Sequence, residues 1–91
     1  MNERYEQLLQ MGVRLLQQWE RLKAWADTAE GEGSIYAAEY LRGQLRDCVN
    51  RLQSLGDVAA ELFDHRHDEY MNTVHQRVNA TKNKLNIGGN V

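Results

Sequence analysis

A chain of 91 residues, 42% apolar and 26% charged with a net charge of −2, has room for one domain with a limited core. That apolar content excludes a disordered chain, and no apolar run reaches the roughly 18 residues that span a bilayer. The single cysteine, Cys48, excludes an internal disulfide and a Cys-rich zinc site. The start, Met1 to Tyr5, has neither the basic residues nor the apolar stretch of a signal peptide, so a cytoplasmic location is expected.

The first segment, Glu3 to Thr28, carries a regular seam. Tyr5, Leu8, Gly12, Leu15, Trp19, Leu22 and Ala26 recur at alternating steps of three and four, the coiled-coil period. Leu9 and Leu16 widen this stripe on one side, and Met11 and Trp25 widen it on the other. A stripe of that breadth predicts a helix that touches two neighbours. The clearest loop follows, Ala29-Glu-Gly-Glu-Gly-Ser34. Ser34 is a good N-cap for the second segment. There Ala38, Leu41, Leu45, Cys48, Leu52 and Leu55 continue the period, with Val49 beside them. The short loop predicts antiparallel packing of the first two helices.

Beyond Leu55 two architectures compete. Gly56-Asp57 reads either as the end of one helix and the start of the next or as a tolerated helical glycine costing roughly 1 kcal/mol. Apolar positions Ala59, Leu62, Phe63, Tyr70, Val74, Val78 and Leu85 keep a helical spacing, with His67 and Thr81 in the gaps. An unbroken helix from Ser34 to Lys84 would be about 75 Å long against about 40 Å for the first, and its overhang would need a second copy to cover it. The expected fold is therefore an all-α, antiparallel three-helix bundle over residues 1–85, with a break near Gly56 or around His65 to Asp68. The alternative is a two-helix hairpin that dimerises through a long second helix. Gly88 and Gly89 mark residues 86–91 as a C-terminal tail.

Three features could carry chemistry. In Glu61-Leu-Phe-Asp-His-Arg-His-Asp-Glu69, helical spacing aligns Glu61, His65 and Glu69 on one face and Asp64, Asp68 and His75 on another. Neighbouring His and carboxylate groups can bind a metal, so Asp64, His65, His67, Asp68 and His75 form one alternative site. A di-iron bundle would also need acids in the seams of the other helices, and those seams have none. His67 falls on the apolar stripe and is read first as a packed, hydrogen-bonded histidine. Cys48 lies on the seam of the second segment with no activating group, as a small inert hydrophobe. The Gly31-Glu-Gly33 loop carries acids where a phosphate would sit. No catalytic residue, cofactor or small-molecule substrate is called for, and the chain is read as a non-enzyme.

Charge is uneven. Residues 76–91 hold Arg77, Lys82 and Lys84 with no acid, whereas residues 61–75 hold four acids against Arg66. Nucleic-acid binders show larger basic stripes and a basic pI, so the cations are read as complements to a helix C-terminus. Aromatic residues are more telling. Trp25, Tyr36 and Tyr40 gather with Ile35 around the glycine loop, and Tyr36 and Tyr40 lie off their seam. Trp and Tyr are enriched at interface hot spots, although they also close the ends of small bundles. Trp25, Tyr36 and Tyr40, with Phe63 and Tyr70 second, are the candidate partner-binding residues.

The stretch Val49 to Leu85 resembles the second half of a spectrin repeat on Leu55, Leu62, His67, Val74, Arg77 and Leu85, and Leu15, Trp19, Leu22 and Trp25 are similar to the Trp-bearing first helix of that family. The resemblance implies a left-handed three-helix bundle that spaces or scaffolds other proteins. A hairpin with a Trp before a glycine-containing turn is also similar to the WXG100 secreted proteins, although here Ala26 and Asp27 follow Trp25. The expected function is a non-catalytic helical interaction module, acting as scaffold, adaptor or inhibitor on another protein or on a second copy of itself. The alternatives are a secreted or chaperoned hairpin that folds with a partner chain, and a metal-binding helical protein.

Overall fold

The structure, a computed structural model, describes residues 3–89, with side chains as far as Lys84. Three helices follow one another: α1 (Glu3–Gly31), α2 (Ile35–Phe63) and α3 (His67–Gly89). The expected three-helix bundle is what forms. α1 and α2 are an antiparallel hairpin of equal arms, and α3 returns alongside α1 against the lower part of that hairpin. The overall extents are 47 × 37 × 17 Å. Three parallel helices, each about 10–12 Å across, do not need the 37 Å dimension, so α3 runs inclined to the hairpin. Its backbone is helical to Gly89, beyond the Leu85 boundary; residues 90 and 91, the end of the expected tail, lie outside the described residues.

Each turn has a local cause. The first is held by Ser34 N–H donating to Ala29 O at 2.8 Å and Gly33 N–H to Glu30 O at 3.1 Å, with Gly33 at φ +77°. Glycine enters this left-handed region without a Cβ penalty. Ser34 stands at the N-cap of α2 as expected, but its side chain makes no capping bond; its carbonyl accepts from Ala38 N–H at 3.0 Å.

The second turn corrects the placement of the break at Gly56. α2 runs through Gly56 and ends at Phe63, which also rules out the long continuous second helix. Asp64 takes the left-handed conformation at φ 55°, and His65 N–H donates to Ala59 O at 3.2 Å. This is a Schellman-type end, with Asp in the place where Gly is commonest. Arg66 then grips Asp68 with two hydrogen bonds of 3.1 and 2.6 Å, and Asp68 accepts from Glu69 N–H at 3.0 Å in the first turn of α3.

The core explains two of the helical glycines, Gly12 and Gly56. Leu8, Leu9 and Leu16 from α1, Leu52 and Ala59 from α2, and Tyr70, Val74 and Val78 from α3 form one buried cluster. Gly12 is a notch in α1. A Cβ there would lie 2.4 Å from the Tyr70 hydroxyl oxygen and 2.8 Å from Val74 Cγ2, so only glycine lets α3 approach this closely. Tyr70 fills the notch and donates its hydroxyl to Leu8 O at 2.7 Å. Burial, reinforced by the Tyr5 ring and opposed by the Gly12 backbone, pushes the Tyr70 phenol up to about 12. Gly56 is the matching notch in α2, beneath the His67 ring, whose Cδ2 would sit 2.5 Å from an added Cβ. His67 Nε2 lies 3.2 Å from Gln53 O, in keeping with a packed, hydrogen-bonded histidine.

Two ion pairs lash α3 to α1. Arg77 reaches Glu6 at 2.8 Å and Lys82 reaches Glu20 at 2.6 Å. Pairs this exposed are each worth about 0–1 kcal/mol. They also correct the expected role of these cations, since both are engaged by carboxylates of another helix.

Candidate interaction surface

α3 covers one side of the broad stripe on α1. The Leu9 and Leu16 side is buried against it, and the Met11 and Trp25 side meets no third helix. The expectation that α1 touches two neighbours holds, but the neighbours are α2 and α3, and a third flank remains open.

That flank is a face of the α1–α2 hairpin. Met11 and Trp25 are 14 residues apart, nearly four helical turns, so they share a side of α1 over about 21 Å. On α2, Tyr40, Arg51, Leu55 and Leu62 fall on the side facing the same way. Large apolar groups are left in solvent along it: Met11, Trp25, Tyr40 and Leu62. Leu62, placed by the sequence on the apolar stripe of the third segment, is thus off the core. Among the described residues one helix lies beyond the hairpin, and it occupies the opposite groove.

At its upper end the hairpin tip carries Trp25, 61% exposed, Tyr36, 84% exposed, and Tyr40, 60% exposed. They do not close the end of the bundle. Small residues do that work: Ala26, Ala29 and Ala38 are the buried groups there. The tip backbone is braced by Arg42, which contacts Glu30 at 2.6 Å and holds its carboxyl below the usual range through a hydrogen bond. Lys23 pairs with Asp27 at 2.6 Å one turn away.

Lower down, an open groove of about 570 Å³ runs between the two helices. Its floor is Met11, Leu15 and Leu55, and its flanks are Arg14 and Arg51, with no acidic residue in the lining. The sequence marked Met11 and Trp25 as a second side of the stripe. Arg14 and Arg51 went unnoticed because they are 37 positions apart and meet only when the hairpin closes.

The remaining expected residues are elsewhere. Tyr70 is wholly buried, so it has no surface to offer a partner; this corrects its place in the candidate set. Phe63 is half-buried, edge-on to Tyr5 with centroids 5.7 Å apart, and packs on the core. Neither shares the open face with Trp25 and Tyr40.

The His and Asp cluster is dispersed by the turn that precedes α3. His65 stacks on Tyr5 at 3.9 Å, His67 covers Gly56, and Asp68 is held by Arg66. His75 lies beside Trp19 and Cys48, two turns further along α3. Among the described residues no three His, Cys, Asp or Glu side chains converge to hold a metal ion. Burial, then the nearby Glu69 charge, raises the Tyr5 phenol above its ordinary value. Cys48 is buried and reduced.

No helix among the described residues is long and apolar enough to cross a membrane. Comparison with protein-family models, with curated proteins and with solved structures gives no match.

Proposed function

We propose that this chain is a non-catalytic helical interaction module that binds another protein through the α1–α2 face left open by α3. The observation that carries the reading is the exposure of Trp25 on α1 and Tyr40 on α2, both on regular helix, where neither closes the core. Aromatic side chains held on a rigid backbone bring large contact area at little entropic cost, and such residues dominate interface energetics. Contiguous exposed apolar surface on a small soluble domain marks an interaction site. The three-helix architecture suits the spacing or scaffolding role that the spectrin-like resemblance implies, and an adaptor or inhibitor role equally, since in each case the module presents a helical face and performs no chemistry.

The test is site-specific photo-crosslinking in the source cells, with a photoreactive residue at position 25 or 40 and a control at Asn79 on α3. The expected result is one shared adduct from 25 and 40 that is absent from 79. Trp25→Ala should reduce the adduct at 40, with helicity by circular dichroism unchanged. No adduct at 25 or 40, or an equal one at 79, overturns the proposal.

A further inference from the structure

The open face has a chemistry that narrows its occupant. The groove below the aromatic tip has an apolar floor and two arginine walls. Arg14 and Arg51 are exposed, and among the described residues neither makes a hydrogen bond or an ion pair. Three other arginines do have carboxylates: Arg42 with Glu30, Arg66 with Asp68 and Arg77 with Glu6. Asp47, one turn from Arg51 on α2, pairs with neither groove arginine. Asp47 lies on the same side of α2 between Tyr40 and Arg51, yet the groove itself is bordered by two cations and lined by no acid.

We propose that this groove binds an acidic amphipathic helix of a partner protein, which rests on the interaction-module reading above. The apolar side of the incoming helix would lie on Met11, Leu15 and Leu55 and reach Trp25 and Tyr40. Its flanking Asp or Glu side chains would meet Arg14 and Arg51. A helix seated between two antiparallel helices is the usual helix-in-groove mode, with anchors at i, i+3, i+4 and i+7. The span from Met11 to Trp25, about 21 Å, corresponds to about four turns of such a helix. Planar guanidinium groups suit carboxylates geometrically, and they set orientation and partner choice as well as attraction.

A second copy of this chain fits the groove poorly. A two-fold contact puts the same patch on both subunits. Face-to-face packing with the two-fold axis at the groove would bring Arg14 and Arg51 of each protomer together, four guanidinium groups without acids in the groove lining. Like charges opposed across an interface disfavour it.

The probes are two synthetic peptides of about 18 residues, long enough for five helical turns. They share one Leu pattern; one carries Glu at every flanking position, and the other Lys. Binding to the full chain is followed by Trp fluorescence and by amide chemical shifts. The Glu peptide should shift Met11, Leu15, Leu55 and Trp25, bind at least about tenfold more tightly than the Lys peptide, and weaken as salt is raised. The double variant Arg14→Glu with Arg51→Glu should reverse that preference. Both residues are exposed, so unchanged circular dichroism will show that the variant is folded.

Equal affinity for the two peptides, no binding of the Glu peptide, or shifts confined to the α3 side would overturn the proposal. So would a dimer of the chain, seen by light scattering, that the double variant abolishes, because the face would then belong to a second copy. Crosslinks at 25 and 40 without any preference for the Glu peptide would leave the interaction-module reading standing and remove the acidic helix alone.

Discussion

The two ends of the hairpin have similar aromatic content and opposite fates. At the lower end Tyr5, Phe63, His65 and Tyr70 are packed together, and Tyr70 is sealed in the Gly12 notch. At the upper end Trp25, Tyr36 and Tyr40 stand in solvent, and alanines close the helix contact. The side chains are equally apolar, so their burial does not follow from hydrophobicity. It follows from where a third helix is available. α3 starts at the lower end, is held in both glycine notches, and lies in the groove opposite Met11, Trp25 and Tyr40. A third helix turns aromatic residues into core, and its absence turns them into surface.

The largest test of this contrast is truncation of one aromatic at each end. Tyr70→Ala should cost about 3–5 kcal/mol, measured by urea denaturation, because it empties the notch and leaves α3 without its anchor. Trp25→Ala and Tyr40→Ala should stay within about 0.5 kcal/mol of the parent. A comparable loss at both ends would mean that the tip aromatics belong to the core.

The second test is pH. Burial pushes the Tyr70 phenol up to about 12 from its ordinary value of 10.0. Between those values the unfolded chain loses this proton while the folded chain keeps it, so unfolding is favoured as pH rises. The contribution is complete below pH 10 and lost by about pH 12, an effect of about 2–3 kcal/mol. Comparing Tyr70→Phe with the parent over that range isolates it from the lysines, and the variant should show the shallower decline.

Glycine substitutions sharpen the comparison further. Gly12→Ala should destabilise by about 1–2 kcal/mol, since overpacking against Tyr70 and Val74 outweighs the helix-propensity gain of roughly 1 kcal/mol. Gly43→Ala, with nothing within 4 Å of an added Cβ, should instead stabilise by about 0.5–1 kcal/mol. Thermal melts of the two variants should move in opposite directions.

The smallest effect concerns the turn that starts α3. Asp64→Gly should stabilise by a few tenths to about 1 kcal/mol, because glycine accepts the left-handed conformation more readily. A destabilised Asp64→Gly variant would show that the Asp64 side chain contributes more to the turn than its backbone conformation costs.

Much of this fold was legible along the chain. The seam of α1, the glycine loop and Ser34 at the start of α2 follow from period and turn chemistry, which are local properties, whereas the three-helix count rested on the cover that a long second helix would lack. The fates of Gly12 and Gly56 were not. A glycine in a helical pattern looks like a breaker, and only the arrival of Tyr70 or His67 from a distant segment makes it a notch. The same limit governs the surface. Trp25, Tyr36 and Tyr40 could be picked out by type and position, but so could Tyr70, which the fold buries.

By itself the sequence determined that this protein is all-helical, where its first turn falls, and which residues are apolar enough to seek cover. The tertiary structure decided which of them obtain it. Helical periodicity specifies a stripe on each helix, but the described residues hold one helix beyond the hairpin and two grooves that could take it. The Gly12 and Gly56 notches select one groove, and the other keeps Met11, Trp25 and Tyr40 exposed beside Arg14 and Arg51.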